Sequence, residues 1–407
     1  MQNLLKEALQ SHKLALELDQ ENADVIFNTA QVLTSLAEEI SNSKHPSDSE
    51  ISQSINFIQE ALELFQRCFL LQEFRYTESE EQRQATHVQQ QNDTVDTDQF
   101  ISQEDGEEQE QWTMIIEPVT KTTLIETAIA QLETLTTLCN LLSYHPETNG
   151  ITWIEEYSTN KLHSQISAYL SNSEREYEAS LAYAGFLSAL NDVLFRSDRI
   201  DFVTYYEAIV QGFNSLDPGN DQDGLCSKAD SFISFNTTVA EKSITTTEQL
   251  QVQLQLRWKS LSTALDALTK ASKLSTSTST PSISTIPTST NPSNLPKIHI
   301  SRGDTEMSRW RLSLPPWEYQ ISKQNATILI RNAQTYYRGA AALARRNNDV
   351  EDERDGICKE AIAAALDGEK GKFDSLKIND SKGLVGVAED MVDDGLVDFE
   401  NMKGLFE

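Results

Sequence analysis

One pattern recurs along this 407-residue chain and limits what it can fold into: a small residue, a bulky one four positions on, and a second small residue three positions later. It reads Ala8-x3-His12-x2-Ala15, Ala61-x3-Phe65-x2-Cys68, Ala182-x3-Phe186-x2-Ala189, Ala264-x3-Leu268-x2-Ala271 and Ala333-x3-Tyr337-x2-Ala340. Spacings of four and three put the three side chains on one face of an α-helix. Small residues let two helices approach at a crossing, and the bulky residue between them fills the partner's groove. One copy describes any amphipathic helix. Repetition, together with the tight polar turn Leu18-Asp19-Gln20-Glu21-Asn22, predicts repeated antiparallel helix pairs. No stretch alternates as a half-buried strand would.

In chain order, residues 4–18 and 23–38 read as a helix pair, 39–50 as a loop, and 51–74 as the next helix with Ile55, Ile58, Ala61, Leu62, Phe65 and Phe69 on one stripe. Residues 1–75 form a first repeat-like block. From Tyr76 to Glu117 the stripe dissolves. Twelve acids face one basic residue, Arg83, and the segment is rich in glutamine and poor in aliphatics, so 76–117 is expected to be a disordered acidic insertion. Its densest part holds Glu104, Asp105, Glu107 and Glu108, candidate contacts for a basic polypeptide.

Residues 118–273 return to helical patterning: an extended Pro118–Thr120, a helix over 122–142, a pair over 151–171 and 174–196, a helix over 201–216, a loop over 217–246 and a helix over 247–273. Residues 274–296, mostly Ser, Thr, Pro and Asn, read as a linker. Residues 297–370 are again helical, broken at Pro315-Pro316. Residues 371–407 read as an acidic tail, with seven acids against one lysine from Glu389 onward; Asp393 and Asp394 are its candidate client contacts.

The formal net charge of −30 disfavours nucleic-acid binding, since a phosphate backbone would be repelled and no basic stripe compensates. It suits a basic partner, drawn in by a face lined with negative charge. No apolar run approaches the ~20 residues of a membrane helix, so no membrane partner is expected. The N-terminus is not patterned as a signal peptide. It opens midway into what reads as the second helix of a repeat, so a preceding helix is expected to be missing and an apolar face exposed. Four scattered cysteines without a C-x-x-C fit a reducing compartment, and six scattered histidines suggest no metal site. Nucleotide and nucleophile motifs are missing from the sequence, so the expectation is a non-enzyme without cofactor or metal. Arg302-Gly303-Asp304 spells an adhesion tripeptide and is read as coincidence.

The small–large–small helices and the turn after Leu18 resemble tetratricopeptide (TPR) repeats, with Gln20 where the turn usually carries proline. Five stretches resemble a more specific fungal family: 22–38 (Asn-Ala-Asp-Val-Ile-Phe-Asn-Thr-Ala-Gln-Val-Leu and on to Glu38), Ala61–Cys68, Glu117–Lys121 with Thr127–Leu138, His299–Asp304, and Tyr336–Ala340. That family is the dedicated assembly chaperone of the large-subunit ribosomal protein L-four. The resemblance implies an all-α, TPR-like superhelix, an α-solenoid. It implies capture of newly made L-four, chiefly by the protein's basic internal loop, and escort from cytoplasm to nucleus for delivery to pre-60S assembly.

On the first helix of the repeat, Asp24, Asn28 and Gln31 are polar positions beside buried Ile26, Thr29, Ala30 and Leu33, and are candidate client contacts. An adaptor that docks acidic C-terminal peptides would carry Lys and Arg there instead. A generic TPR scaffold subunit is the alternative reading. Competition by rRNA phosphate would suffice for release, and predicts salt-sensitive binding.

Overall fold

The structure is a computed structural model describing residues 2–41, 46–92, 118–144, 148–158, 162, 168–170, 173–214, 216, 218–242, 246–277 and 294–407, with side chains left aside at 85–92 and 275–277. Among the described residues every regular element is a helix, as the sequence predicts. The chain divides into two compact units, Met1–Phe186 and Leu187–Glu407.

In the first unit, α1 (Gln2–Leu18), α2 (Ala23–Ser41), α3 (Asp48–Asn92), α4 (Lys121–Leu142) and α5 (Thr148–Tyr157) follow one another, and α6 (Glu176–Arg196) begins. Each of the first four packs on its neighbour in sequence. The crossing of α2 and α3 uses the recurrent pattern: Ala61, Phe65 and Cys68 are buried, and the Cys68 thiol donates to the carbonyl of Ala23 at 3.4 Å. Ser54 Oγ donates to Ala37 O at 3.0 Å further along, which makes the pair antiparallel. The turn without proline is fastened from α3: Arg67 donates to Gln20 O and Arg75 to Glu21 O. On α1 only Leu9 is buried, while Leu4, Leu14 and Leu18 are exposed.

α4 starts at a capping box in which Thr120 and Thr123 exchange side-chain-to-backbone hydrogen bonds, satisfying two donors the first turn leaves open. It packs on α3, where Thr127 Oγ1 donates to Gln72 Oε1 at 2.7 Å, and on α5, where the Tyr157 hydroxyl donates to Gln131 Oε1 at 2.6 Å. α3 does not end where the sequence pattern does. It continues through 76–92, into the segment expected to be disordered, with Tyr76 edge-on to Tyr169 and Arg83 paired to Glu80. Adding turns to an already packed helix fixes one residue per hydrogen bond, so no apolar stripe is needed to extend it. Residues 93–117, including Glu104, Asp105, Glu107 and Glu108, lie outside the described residues.

The second unit holds the end of α6, then α7 (Phe202–Asn214), α8 (Gln222–Glu241), α9 (Thr247–Ser277), α10 (Leu295–Arg311), α11 (Gln320–Asn347), α12 (Val350–Leu366), α13 (Gly371–Asn379), α14 (Ser381–Asp393) and α15 (Phe399–Phe406). α8 occupies the span expected to be a loop. Leu225, Ala229, Phe232, Asn236 and Val239 recur at helical spacing and are buried, and the Asp221 carboxylate caps the N-terminus by accepting from the amides of Asp223 and Gly224. The many Ser, Thr and Asn residues between them obscure that stripe in the sequence.

The expected acidic tail is also structure. Phe373, Leu384, Met391, Leu396, Val397 and Leu405 join one core with Met307, Tyr337 and Ile362. The acids of 389–407 stand on the outer sides of short helices whose inner sides carry these apolar residues, each worth about 1.5–3 kcal/mol when buried. The linker shortens too: α9 runs to Ser277 and α10 begins at Leu295.

Two of the stretches that carried the family resemblance meet at the α10–α11 crossing. Arg302 lies 4.0 Å over the Tyr336 ring, His299 faces Tyr336, and Tyr337 donates to Asp304 Oδ1 at 2.7 Å. Asp304 also takes Lys359 of α12 at 3.0 Å. Arg302-Gly303-Asp304 is thus a packed helical crossing, which explains its residues without reference to adhesion.

Candidate binding face

α2 and α4 lie side by side in parallel. Thr34 Oγ1 and Thr134 Oγ1 are 3.3 Å apart, and one turn later Thr137 Oγ1 donates to Glu38 Oε1 at 3.0 Å. The two helices therefore present their remaining polar residues in the same direction. On α2 these are Asp24, Asn28, Gln31, Ser35 and Glu38, all exposed and spaced by threes and fours. On α4 they are Glu126, Glu133 and Asn140, spaced by seven.

The first turn of α6 adds Glu178. Arg175, just before it, donates through Nε and Nη2 to the two Glu178 oxygens at 2.7 and 2.6 Å, and its Nη1 is 3.8 Å from Glu126 Oε2. This bidentate contact holds Glu178 below the usual carboxylate range. Glu133 moves the other way. Partial burial of its carboxyl, then the charges of Glu178 and Glu38, raise its pKa, with Arg175 opposing. Glu133 has no ion-pair partner among the described residues. Three carboxylates, Glu126, Glu133 and Glu178, thus share one guanidinium, and Glu38 adds a further negative charge beside Glu133, an arrangement that favours an added Lys or Arg side chain.

At its end the face opens into a cleft of about 640 Å³ lined by Leu5, Ser35, Glu38, Thr137, Asn140 and Tyr144. Apolar Leu5 and the exposed Tyr144 ring offer contact area beside an acidic edge. A second cleft of about 660 Å³, between Ile51, Ile55 and Asn56 of α3, Leu142 of α4 and Gly150 and Trp153 of α5, is reached from the other side of α4.

Of the residues expected from the sequence, Asp24, Asn28 and Gln31 lie on this face. Asp393 and Asp394 belong to the second unit: Asp393 is exposed at the end of α14, and Asp394 caps that helix, its carboxyl lying among Asp304, Asp390, Asp393 and Lys359 with its pKa raised chiefly by burial. Sequence reasoning missed Glu126, Glu133 and Glu178. The seven-residue spacing of Glu126, Glu133 and Asn140 was a usable signal; the approach of Glu178 was not, because it depends on how α6 packs.

Other chemistry is sparse. No group of His, Cys, Asp and Glu among the described residues is arranged to hold a metal ion, and none of their helices is long and apolar enough to cross a membrane. Cys68, Cys226 and Cys358 have thiol pKa values pushed up by burial. His299 is pushed down to about 4 by burial and by Arg302.

No family model matches the chain, and no curated protein matches it. Among solved structures it is similar to a circular tandem repeat protein with novel repeat topology and enhanced subunit contact surfaces, at 10% identity and a TM-score of 0.35, over 97% of this chain and 78% of that one.

Proposed function

We propose that this chain is a dedicated assembly chaperone of the large-subunit ribosomal protein L-four, holding the basic internal loop of that protein in the cytoplasm and nucleus until pre-60S assembly takes it over. Two things support the reading: the stretches that resemble that family, and the polar face of α2, α4 and α6. The observation that carries most weight is Glu133, an exposed carboxylate set between Glu38 and Glu178 with no ion-pair partner of its own among the described residues. A guanidinium or ammonium from a basic loop would supply the missing charge. Asn28 and Gln31 would satisfy amide groups of an extended segment, and Asp24 would add a further cation seat.

In this reading the protein binds and releases without catalysis or cofactor. Release follows when rRNA phosphates take over the basic side chains, so the grip is electrostatic and screened by salt.

The test is a pull-down of the full chain with L-four, with and without its internal loop, at low and moderate salt. Loop-dependent capture that weakens with salt, and that falls in Glu133→Gln and Glu178→Gln, is the expected result. Equal capture of the loopless protein, or affinity unchanged by salt, would refute the loop-and-charge mechanism. Absence of any capture would leave a helical-repeat scaffold with another partner.

A further inference from the structure

Arg257, on α9, is buried in the second unit with only 2% of its surface exposed. Its Nε donates to Asn236 Oδ1 of α8 at 2.9 Å, and its guanidinium lies 4.1 Å from the centre of the Trp317 ring. One terminal nitrogen, Nη1, is buried, and among the described residues it has no hydrogen-bond partner and no carboxylate pairs with the side chain. Arg311, at the end of α10, covers the same ring at 4.6 Å. Arg311 is partly answered, since Nη1 donates to Pro315 O at 2.7 Å and Nε is 3.7 Å from Asp398.

Arg309 next door differs in one respect. It too lies over a ring, Trp258 at 4.2 Å, and it too has a buried nitrogen, Nε, without a hydrogen-bond partner, but it is paired with a carboxylate, Glu306, at 2.9 Å. Arg257 has the aromatic ring but lacks the carboxylate. A desolvated cation–π contact is worth about 2 kcal/mol, whereas removing a guanidinium from water costs several kcal/mol when it is unpaired. Burial and the neighbouring Arg311 accordingly depress the Arg257 pKa to about 9, still protonated at neutral pH. Among the described residues, in a chain of net charge −30, no carboxylate pairs with this group.

We infer that Arg257, Arg311 and Trp317 form a seat for an oxyanion, a phosphate or carboxylate group held by two planar guanidinium forks against one indole ring. Guanidinium groups bind such anions bidentately, which is the geometry that would use the idle Nη1. Trp317 is half-buried on the connection between α10 and α11, and gives the outer boundary of the seat. The seat belongs to the second unit and does not depend on the acidic face of the first.

Inorganic phosphate is the probe. The full-length chain is melted in sodium phosphate and in sodium chloride of equal ionic strength at pH 7. A rise of about 3–5 °C at roughly ten times the dissociation constant is expected in phosphate alone. Arg257→Met should abolish the difference. Should that variant fail to fold, Arg311→Met, at a less completely buried position, reads the same loss. A phosphoserine peptide added in competition separates sources: tighter displacement by the peptide points to a phosphate carried by a partner, and weaker displacement to the free ion. No phosphate-specific rise in the wild type, or the same rise in the variants, would overturn the inference.

Discussion

The ring of Tyr337 occupies the space that a side chain at residue 303 would need. A methyl group on Gly303 would lie 2.3 Å from its Cε1, while the hydroxyl of the same tyrosine donates to Asp304 at 2.7 Å. One tyrosine therefore requires glycine at one position and an acceptor at the next. Gly303→Ala should force the ring aside and cost about 1–3 kcal/mol, read as a lower denaturant midpoint at unchanged slope. An unchanged midpoint would mean that the crossing has slack.

Lys359 is 6% exposed and meets Asp304 at 3.0 Å and Asp355 at 3.4 Å. Lys359→Met keeps the stem and removes the charge, leaving two carboxylates facing each other in a half-dry site. The expected loss is about 3–5 kcal/mol, the scale of a buried pair broken from one side. A loss below ~1 kcal/mol would show that water reaches the cluster freely.

Asp355 supplies a pH dependence. Burial raises its pKa to about 6, with Lys359 opposing and Asp304 and Asp352 adding to the rise. A carboxyl that holds its proton more tightly when folded makes the native state relatively more stable as pH falls through 6 toward the unfolded value near 4. Urea midpoints of the wild type should therefore gain on those of Asp355→Asn between pH 7 and pH 5. Parallel curves would remove Asp355 as the source.

Glu133→Gln should separate stability from binding. The carboxylate is disfavoured where it stands, so the neutral isostere is expected to melt slightly higher at pH 7, an advantage that shrinks on acidification as Glu133 itself takes up a proton. In the proposed reading the same variant holds its basic client less tightly. Loss of both stability and capture would instead mark Glu133 as a structural residue.

Phe373→Ala tests the C-terminal helices. The ring is fully buried against Phe406, centroids 5.1 Å apart, and its removal should cost about 3–5 kcal/mol. A solvated tail would show almost no change.

The helical character of the chain was legible because its crossings repeat one spacing: Ala61, Phe65 and Cys68 are buried together, as are Ala264, Leu268 and Ala271, and Ala333, Tyr337 and Ala340. Asp24, Asn28 and Gln31 were legible as exposed positions for the same reason, since the buried residues of α2 leave them one direction to face. Two failures share a cause. In α8 and in α13–α15 composition masks period: Thr237 and Thr238, or Asp390 and Asp393, have the composition of a loop or tail, although Phe232 and Val239, or Leu384, Val387, Ala388 and Met391, keep a helical stripe beneath them. The candidate face was only half legible. Its α2 edge lies in one segment, but the charges that bear on Glu133 come from Glu38 and Glu178, and only tertiary packing brings three helices together.

Gln72 and Thr127 stand 55 positions apart, and their hydrogen bond lies within the α3–α4 packing. Both side chains are buried, and Thr127 rides on the same helix as Glu133. The aim of the polar face is therefore passed on from a hidden contact: a slip between Gln72 and Thr127 would turn Glu133 away without touching a single charge of the face.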